Sequence, residues 1–214
     1  MFITFEGLDF CGKTTQAQRL VEKLSLNSLP GDDRIRPVQL IREPGGTAIS
    51  ERLREILLDR RNLELSDVAE LLLFSASRAQ LVEQTIRPAL GRGEVVLCDR
   101  YYDSTTAYQG YGRGLELSSV RLINRFATSG LVPDITLLVD ITVDEIDRRK
   151  QKSGVVFDRM ENSGRAFYER VRNGYLEMAH LEPDRFAVVN GMAPIEAVGD
   201  EIWRVLTAIR RRKQ

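Results

Sequence analysis

The sequence predicts an α/β domain built on a five-stranded parallel sheet flanked by helices, and three observations indicate it. Five short apolar runs rich in β-branched residues alternate with longer stretches of helical periodicity. The runs are apolar almost throughout, as is typical of strands buried on both faces. Charged and glycine-rich residues follow several of the runs, at the sheet edge where parallel α/β proteins bind ligands. The 214 residues fit one domain, 1–214.

The elements are predicted in order along the chain. Each strand is a short apolar run, and the five are Phe2–Phe5, Val38–Arg42, Val95–Cys98, Ile135–Val139 and Phe186–Val189. Each helix has apolar residues at helical spacing, and the seven are Thr14–Leu26, Thr47–Leu58, Ser66–Arg87, Ser118–Thr128, Val143–Lys152, Ala166–Met178 and Ile195–Arg210. Proline and glycine mark Leu26–Pro37 as a loop, and Gly91–Gly93 as the turn into the third strand.

Composition excludes several classes of protein. The chain is 43% hydrophobic and 29% charged, which is ordinary for a globular protein and not for a disordered one. Its formal net charge of +0 gives no global attraction to nucleic acid. We expect no membrane segment, because no apolar run approaches the roughly 20 residues that a spanning helix needs. We also expect no signal peptide, and reduced cysteines at Cys11 and Cys98 in a cytoplasm.

Residues 7–14 form a complete G-x-x-x-x-G-K-[ST] phosphate loop between the first strand and the first helix. Glycines let the backbone approach phosphate oxygens closely, and the N–H groups at the helix start attract anions. Lys13 is expected on the β- and γ-phosphates, and the Thr14 hydroxyl on Mg²⁺. A nucleoside triphosphate site is therefore predicted at Gly7, Leu8, Asp9, Phe10, Cys11, Gly12, Lys13, Thr14 and Thr15.

Asp99 and Arg100 end the third strand. An acidic residue there, beside a phosphate loop, is placed to hold Mg²⁺ through its waters. Arg100 could bridge two phosphate groups. The alternative is a surface ion pair at a strand end, and the phosphate loop favours the functional interpretation. Tyr108–Gly114 is interpreted as a glycine-rich loop, which the sequence pattern alone leaves equally open as a surface turn or as the lining of a small-molecule pocket.

Six segments together carry a resemblance to a known family. In order they are Phe5–Asp9, Arg42–Thr47, Phe74–Gln80, Asp99–Tyr101, Tyr108–Gly114 and 158–161 (Asp-Arg-Met-Glu). The set closely resembles thymidylate kinases of the bacterial type, over nearly the whole chain. The resemblance implies a P-loop fold like that of nucleoside monophosphate kinases and transfer of the γ-phosphoryl group of ATP to dTMP, with Mg²⁺, for dTTP synthesis. It also implies a homodimer packed through long helices, including Ser66–Arg87.

The resemblance assigns roles to residues of the acceptor site. Phe74 would stack on thymine, and Arg78, one helical turn later, would donate to a thymine carbonyl. Tyr108 would lie under the deoxyribose and leave no room for a 2′-hydroxyl. Thr105 and Gln109 would lie at the edge of the base. The acceptor phosphate and the 3′-hydroxyl would be surrounded by Asp9, Arg42 and Arg100.

The phosphate loop lacks the arginine that some members of the family carry inside it. In the bacterial type a mobile lid supplies that charge, and the resemblance places the lid at about residues 148–162. Arg149 corresponds best to the lid arginine, with Arg159 as the alternative and Arg148 as a further lid candidate. The expected catalytic residues are thus Lys13, Arg100, Arg149 and Asp9. Phe10 stands where the family often has glycine, which leaves the detailed loop conformation open.

Two other functions fit parts of the pattern. The chain could act on a different nucleoside or nucleoside monophosphate, which only substrate comparison separates. It could also be a P-loop switch that binds nucleotide without transferring phosphate. A GTPase would need a guanine-reading N-K-x-D segment, which the sequence does not contain, and a silent homologue would be expected to lack Arg100 or the lid arginines.

Overall fold

The computed structural model describes residues 1–153, 159–160 and 164–212. The five strands are β1 (Phe2–Glu6), β2 (Val38–Arg42), β3 (Val95–Asp99), β4 (Ile135–Asp140) and β5 (Phe186–Asn190). The α-helices of the described residues are α1 (Lys13–Leu26), α2 (Ala48–Leu58), α3 (Asp67–Leu81), α4 (Arg87–Gly91), α5 (Tyr102–Thr105), α6 (Leu117–Ala127), α7 (Val143–Ser153), α8 (Arg165–Leu181) and α9 (Ile195–Arg212). Two π-helical segments, Val82–Ile86 and Thr106–Gly112, continue α3 and α5.

The strands form one parallel sheet in the order β2-β3-β1-β4-β5, as predicted. The central strand β1 pairs Phe5 with Asp99 of β3 on one side and with Leu137 of β4 on the other. Because all strands run the same way, the residues that follow β1, β2, β3 and β4 meet at one edge. The order reverses at β1, so the phosphate loop leaves the sheet at the switch point of the topology.

The sheet is buried on both faces. Ile3 and Phe5 of β1 pack with residues of α1 and α9, including Leu20 and Ile202. Phe2, which points to the opposite face, packs with residues of the α3 side of the molecule. This burial on both sides explains why the strands are continuous apolar runs instead of alternating ones.

The helix predicted at Ser66–Arg87 has different bounds in the structure. The Ser66 side chain accepts a hydrogen bond from the Ala69 N–H, so Ser66 is the cap and α3 starts at Asp67. Helical backbone then continues to Gly91 through the π-helical segment. Pro88 lies just after that segment, and a proline has no N–H to offer an α-helical partner four residues back. A locally wider helix is a common way to accommodate such a residue.

The interpretation of Tyr108–Gly114 as a loop is wrong for most of its length. Tyr102–Gly112 is helical, with α5 running into the second π-helical segment. The glycines there serve close packing. A Cβ on Gly112 would lie 2.6 Å from the Phe167 ring and 2.8 Å from Val171, both in α8. Glycine in a sequence commonly indicates a turn, whereas Gly112 lets two helices approach each other closely.

No helix within the described residues is long and apolar enough to cross a membrane.

Candidate active site

A cleft of about 530 Å³ opens at the edge where the strands end. Its walls come from the phosphate loop, the segments after β2 and β3, the inner face of α3, two residues of α2 and Met160. It reaches from Lys13 and Thr14 at one end to Phe74, Thr105 and Gln109 at the other. All the predicted donor-side and acceptor-side regions therefore contribute to the same cleft.

The phosphate loop begins with a glycine that no other residue could replace without movement. Gly7 has φ 138°, and a Cβ there would lie 2.4 Å from the Val139 carbonyl oxygen. Gly12, with φ 94°, caps the N-terminus of α1. Phe10 has φ 62°, so a bulky side chain occupies a left-handed conformation that glycine adopts more easily. Lys13 is 7% exposed, and its Nζ donates to the Leu8 carbonyl at 3.2 Å.

Thr14 and Asp99 lie side by side, as a magnesium site requires. The Thr14 hydroxyl donates directly to Asp99 Oδ2. Magnesium prefers oxygen ligands, keeps several waters and is bound by one or two protein groups plus substrate phosphates. No cluster of three or more metal-binding side chains is found among residues 1–153, 159–160 and 164–212. A hydroxyl beside a carboxylate at the mouth of a phosphate loop fits that ion.

Arg100 lies at the centre of the cleft. Its guanidinium pairs with Asp9 Oδ1 at 2.5 Å, and it donates to the Gly7 carbonyl at 3.0 Å and to the Ser104 hydroxyl at 3.0 Å. It also lies 5.0 Å from the centre of the Tyr108 ring. Arg100 has φ 70°, a conformation in which non-glycine residues are uncommon and which accompanies functional sites. The ion pair is partly buried, so it is weakly screened by water.

Asp9 is held in its charged form. Burial alone would raise the pKa of Asp9, but the charges of Arg100 and Lys13 outweigh that effect, and the pKa is lowered. Hydrogen bonds from two tyrosines add to the lowering: Tyr168 donates to Asp9 Oδ2 at 3.0 Å and Tyr108 at 3.1 Å. Asp9 thus offers a carboxylate, and not a carboxylic acid, to the middle of the cleft.

Arg42 lines the cleft from the end of β2. Its side chain is 49% exposed and forms a two-pronged contact with Glu51 of α2, at 3.2 and 3.0 Å. Glu51 also accepts from the Gly46 N–H at 2.7 Å. An exposed ion pair of this kind contributes little stability, so Arg42 can leave Glu51 for an anionic ligand at small cost.

The far end of the cleft is built around Arg78. This arginine is 2% exposed. Its Nε donates to Glu43 at 2.7 Å, one terminal nitrogen to Asn124 at 3.2 Å and the other to the Thr105 hydroxyl at 2.9 Å. Phe74 precedes it by one turn of α3 and lines the same wall. The predicted Phe-x-x-x-Arg pair is therefore brought together, on a rigid helix.

Gln109 is 2% exposed and reaches the cleft from the π-helical segment after α5. Its side-chain nitrogen donates to Glu70 Oε1 at 2.8 Å. Thr105, one turn earlier, faces the same cleft. The helical conformation of this segment, which the sequence did not predict, is what puts both side chains on one face.

The three lid candidates differ in position. Arg149 donates to the Phe10 carbonyl at 3.0 Å and to the Gly191 carbonyl at 2.8 Å, so it lies against the phosphate loop. Arg148 is 58% exposed and pairs with Glu145. Arg159 is bound on the acceptor side, where it donates to the Leu57 carbonyl at 2.9 Å and pairs with Glu70 at 2.6 Å. Residues 154–158 and 161–162 of the predicted lid lie outside the described residues.

Several buried carboxylates escaped sequence reasoning, among them Glu6, Glu43, Glu70 and Glu145, the last of which pairs with Arg148 and Arg149. Each binds a predicted site residue or its neighbour. Glu43 pairs with Arg78, Glu70 accepts from Gln109, and Glu6 accepts from the Ser104 hydroxyl at 2.6 Å. Glu6 and Glu43 lie inside two of the recognised segments, at the end of β1 and just after β2, so their positions at strand ends were the available signal. Glu70 had none beyond its place on α3.

Burial raises the pKa of Glu6 from 4.5 to about 7, and the charge of Asp103 adds to the increase. Between these two values the folded chain holds a proton that the unfolded chain releases. The folded state therefore loses stability as the pH rises from about 4.5 to 7. We expect the free energy of unfolding of the wild type, minus that of Glu6→Gln, to fall by roughly 1–3 kcal/mol over this range.

Urea denaturation of both proteins at several pH values measures this difference. The glutamine variant carries no titrating group at the position, so any constant cost of the substitution cancels from the slope. A difference that stays constant or increases with pH would contradict the assignment of Glu6 as a protonated buried carboxyl at low pH.

The comparisons with known proteins agree with this geometry. The sequence profile of the thymidylate kinase family matches residues 5–202. The chain belongs to the thymidylate kinase family. It is 48% identical to the thymidylate kinase of Caldanaerobacter subterraneus over 92% of this chain and 90% of the relative. It is 44% identical to that of Pelodictyon phaeoclathratiforme over 96% of this chain and 95% of the relative.

A solved structure agrees with the fold. The crystal structure of thymidylate kinase from Ehrlichia chaffeensis superposes with a TM-score of 0.77 at 35% identity, covering 96% of this chain and 98% of that one. A thymidylate kinase phosphorylates dTMP with ATP, and this is the activity of the chain. The predicted P-loop fold and enzyme class are confirmed.

Proposed function

We propose that the cleft holds MgATP at the Lys13 end and dTMP at the Phe74 end, and passes the γ-phosphoryl group between them. One observation carries this proposal: phosphate loop and acceptor wall line a single cleft, with Arg100 between them. Phosphoryl transfer needs little covalent chemistry from the protein. It needs in-line positioning and neutralisation of the charge that spreads over the transferring group.

The donor end binds triphosphate. The glycine turns and the N–H groups at the start of α1 face the phosphates, and Lys13 approaches the β- and γ-oxygens. Thr14 and Asp99 would hold Mg²⁺, which supplies positive charge to the β- and γ-phosphates when bound. Their direct hydrogen bond shows that the two oxygens already lie close enough to face one ion or its waters.

The middle of the cleft handles the acceptor phosphate. Arg100 carries a planar fork that suits phosphate oxygens, and Arg42 carries a second one from the end of β2. Asp9 cannot bind phosphate, because it is a carboxylate. It instead fixes Arg100 and accepts from hydroxyl groups, and the 3′-hydroxyl of the sugar is the ligand group that fits this role.

The far end selects thymine and deoxyribose. Phe74 offers a ring for stacking, and Arg78 offers N–H donors held by Glu43. Tyr108 is fixed in place, since its ring packs edge-on against Phe167 with centroids 5.9 Å apart and against Tyr175 at 6.4 Å. A ring held on several sides cannot move aside for a 2′-hydroxyl group.

The experiment that tests this function is a coupled assay of ADP release with a panel of acceptors. The panel contains dTMP, dUMP, dCMP and thymidine, each with MgATP. We expect dTMP to give the highest kcat/KM and thymidine to give none, because thymidine lacks the phosphate that Arg100 and Arg42 bind. Faster turnover of thymidine or of dCMP than of dTMP would contradict the proposal.

Substitution of Tyr108 tests the sugar pocket. Tyr108→Ala should relax the preference for dTMP over the ribonucleotide by about tenfold or more, because it opens the volume that the ring fills. Tyr108→Phe should keep most of the preference, because the ring remains and only the hydroxyl contacts to Asp9 and Arg100 are lost. If the alanine variant keeps its full preference, the deoxyribose lies elsewhere.

We propose further that the chain forms a homodimer through α3 and α6. The two helices pack against each other, and each exposes large apolar side chains at positions i and i+4. Val68 and Leu72 of α3 are 54% and 50% exposed, and Leu122 and Phe126 of α6 are 69% and 88% exposed. A paired apolar face of this kind on a globular protein indicates an association surface. A second copy of the chain would cover it.

The oligomeric state tests this surface. We expect the wild type to sediment as a dimer and the double variant Leu122→Asp/Phe126→Asp to sediment as a folded monomer. Leu26→Asp is the control, since Leu26 is 78% exposed at the C-terminal end of α1, a helix on the opposite face of the sheet from α3. A wild-type monomer, or a variant that remains dimeric, would place the interface elsewhere.

A further inference from the structure

A buried carboxylate lies behind the acceptor end of the cleft. Glu70 of α3 has no exposed surface. Its two oxygens accept from four nitrogens of three residues: Gln109 at 2.8 Å, Arg113 through two nitrogens at 3.3 Å each, and Arg159 at 2.6 Å. Of these three partners, Gln109 is the one that also lines the cleft.

The two oxygens of Glu70 have different partners. Oε2 takes the short bond from Arg159 and one nitrogen of Arg113. Oε1 takes the Gln109 nitrogen and the other Arg113 nitrogen. A carboxylate only accepts hydrogen bonds, so Gln109 must present its NH₂ group to Glu70. The carbonyl oxygen of the Gln109 amide is then the end left for a ligand in the cleft.

We propose that Glu70 is a positioning residue that fixes the Gln109 amide and thereby makes the acceptor pocket select bases with a protonated N3. This inference rests on the proposed function, which places the base at the Phe74 end of the cleft, and Gln109 lines that end too. Thymine and uracil carry N3–H, a donor that suits the Gln109 carbonyl oxygen. Cytosine has an unprotonated N3, an acceptor, which would face that oxygen without a hydrogen bond. A buried polar mismatch of this kind is a strong basis for discrimination.

The variant Glu70→Gln is designed to reverse the orientation of the Gln109 amide group. The carbonyl oxygen of the introduced glutamine side chain should stay with Arg159, because the Arg159–Oε2 distance of 2.6 Å is shorter than the Gln109–Oε1 distance of 2.8 Å. The NH₂ group of the introduced side chain then takes the place of Oε1. That NH₂ group needs an acceptor, so Gln109 must turn its carbonyl inward and its own NH₂ toward the cleft. The cleft would then offer a donor to N3, which suits cytosine and opposes thymine.

The test measures kcat/KM for dTMP, dUMP and dCMP with each variant. For Glu70→Gln we expect the ratio of dTMP to dCMP to fall at least about tenfold. The dCMP value should rise in absolute terms, which general damage to the fold would not produce. The dUMP value should fall together with the dTMP value, because both bases carry N3–H. Arg78 is unchanged and would still donate to a thymine carbonyl, so the ratio need not invert.

Two further variants separate positioning from simple destabilisation. Arg113→Gln removes a charged partner of Glu70 but leaves Oε1 free to orient Gln109, so the base preference should be retained. Gln109→Met removes the amide donor and acceptor and keeps a side chain of similar size, so it should lower the ratio of kcat/KM for dTMP to that for dCMP. This variant therefore tests the inference even if Glu70→Gln does not fold. In the Gln109→Met background, Glu70→Gln should have no further effect on the ratio, since Glu70 acts through Gln109.

Failure of this inference can be distinguished from failure of the proposed function. If dTMP is not phosphorylated by the wild type, the proposed function is wrong. If dTMP is phosphorylated, the inference is overturned by either of two results: a folded Glu70→Gln that keeps the wild-type ratio, or a Gln109→Met that does so. An effect of Glu70→Gln that persists undiminished in the Gln109→Met background would also overturn it, because Glu70 would then act by another route.

Discussion

Replacing Lys13 by alanine is expected to reduce kcat by at least about a hundredfold, the range typical of one preorganised electrostatic contact to the reacting group. Lys13 is buried at the start of α1, beside the loop that would hold the triphosphate. Its charge would neutralise the transferring phosphoryl group, which water cannot do once the cleft is filled. Binding of dTMP, measured by calorimetry, should stay within a few-fold of wild type, because the proposed dTMP site is at the other end of the cleft.

Lys23→Ala is the matched control for this prediction. Lys23 lies on the same helix, near its C-terminal end, with its charge 4.4 Å from the centre of the Trp203 ring. It has the same formal charge and lies away from the cleft, so its loss should leave kcat unchanged. Near wild-type turnover of a folded Lys13→Ala protein would mean that the phosphate loop does not bind the donor.

Replacing Arg149 by lysine is the second substitution with a large expected effect. The guanidinium group lies against the phosphate loop through its bond to the Phe10 carbonyl, so it is near the place where the γ-phosphate would lie. Lysine keeps the charge but loses the planar fork that matches two phosphoryl oxygens. We expect kcat to fall by about tenfold or more, a difference of ~1.4 kcal/mol, while KM for dTMP changes little.

Two companion variants test the choice of Arg149. Arg148→Lys should have almost no effect, because Arg148 points to solvent and pairs with Glu145. Arg159→Lys should raise KM for dTMP more than it lowers kcat, because Arg159 is bound to Glu70 on the acceptor side. If Arg159→Lys lowers kcat and Arg149→Lys does not, Arg159 supplies the catalytic charge. If neither does, the bacterial-type mechanism is wrong for this chain.

Much of the fold was predictable, because buried parallel strands have a plain signature. The five strands differ from their predicted ranges by at most one residue. The helical segment Thr106–Gly112 was not predictable, since glycine favours turns in general and only the neighbouring helix requires it here. Gly112 is needed because Phe167 lies against it, and Phe167 is 55 residues away in sequence. Local patterns carry no information about such contacts.

The candidate site also contains some residues that the sequence predicts and others that it does not. Lys13 and Thr14 are given by a contiguous motif whose geometry depends on local backbone alone. Glu70 and Glu43 are buried acids, which sequence statistics favour at the surface, and they are stable inside because arginines from other elements reach them. Those arginines are distant in sequence, so the pairs became visible only in the folded chain.

The central claim is that one cleft holds donor and acceptor together, in line for direct transfer. The most direct test is inhibition by a bisubstrate compound in which adenosine and thymidine are joined through their 5′-oxygens by a chain of five phosphates. The account predicts inhibition that is competitive against both ATP and dTMP, with tighter binding than either substrate. Inhibition competitive against only one of them would contradict it, because donor and acceptor would then occupy separate sites.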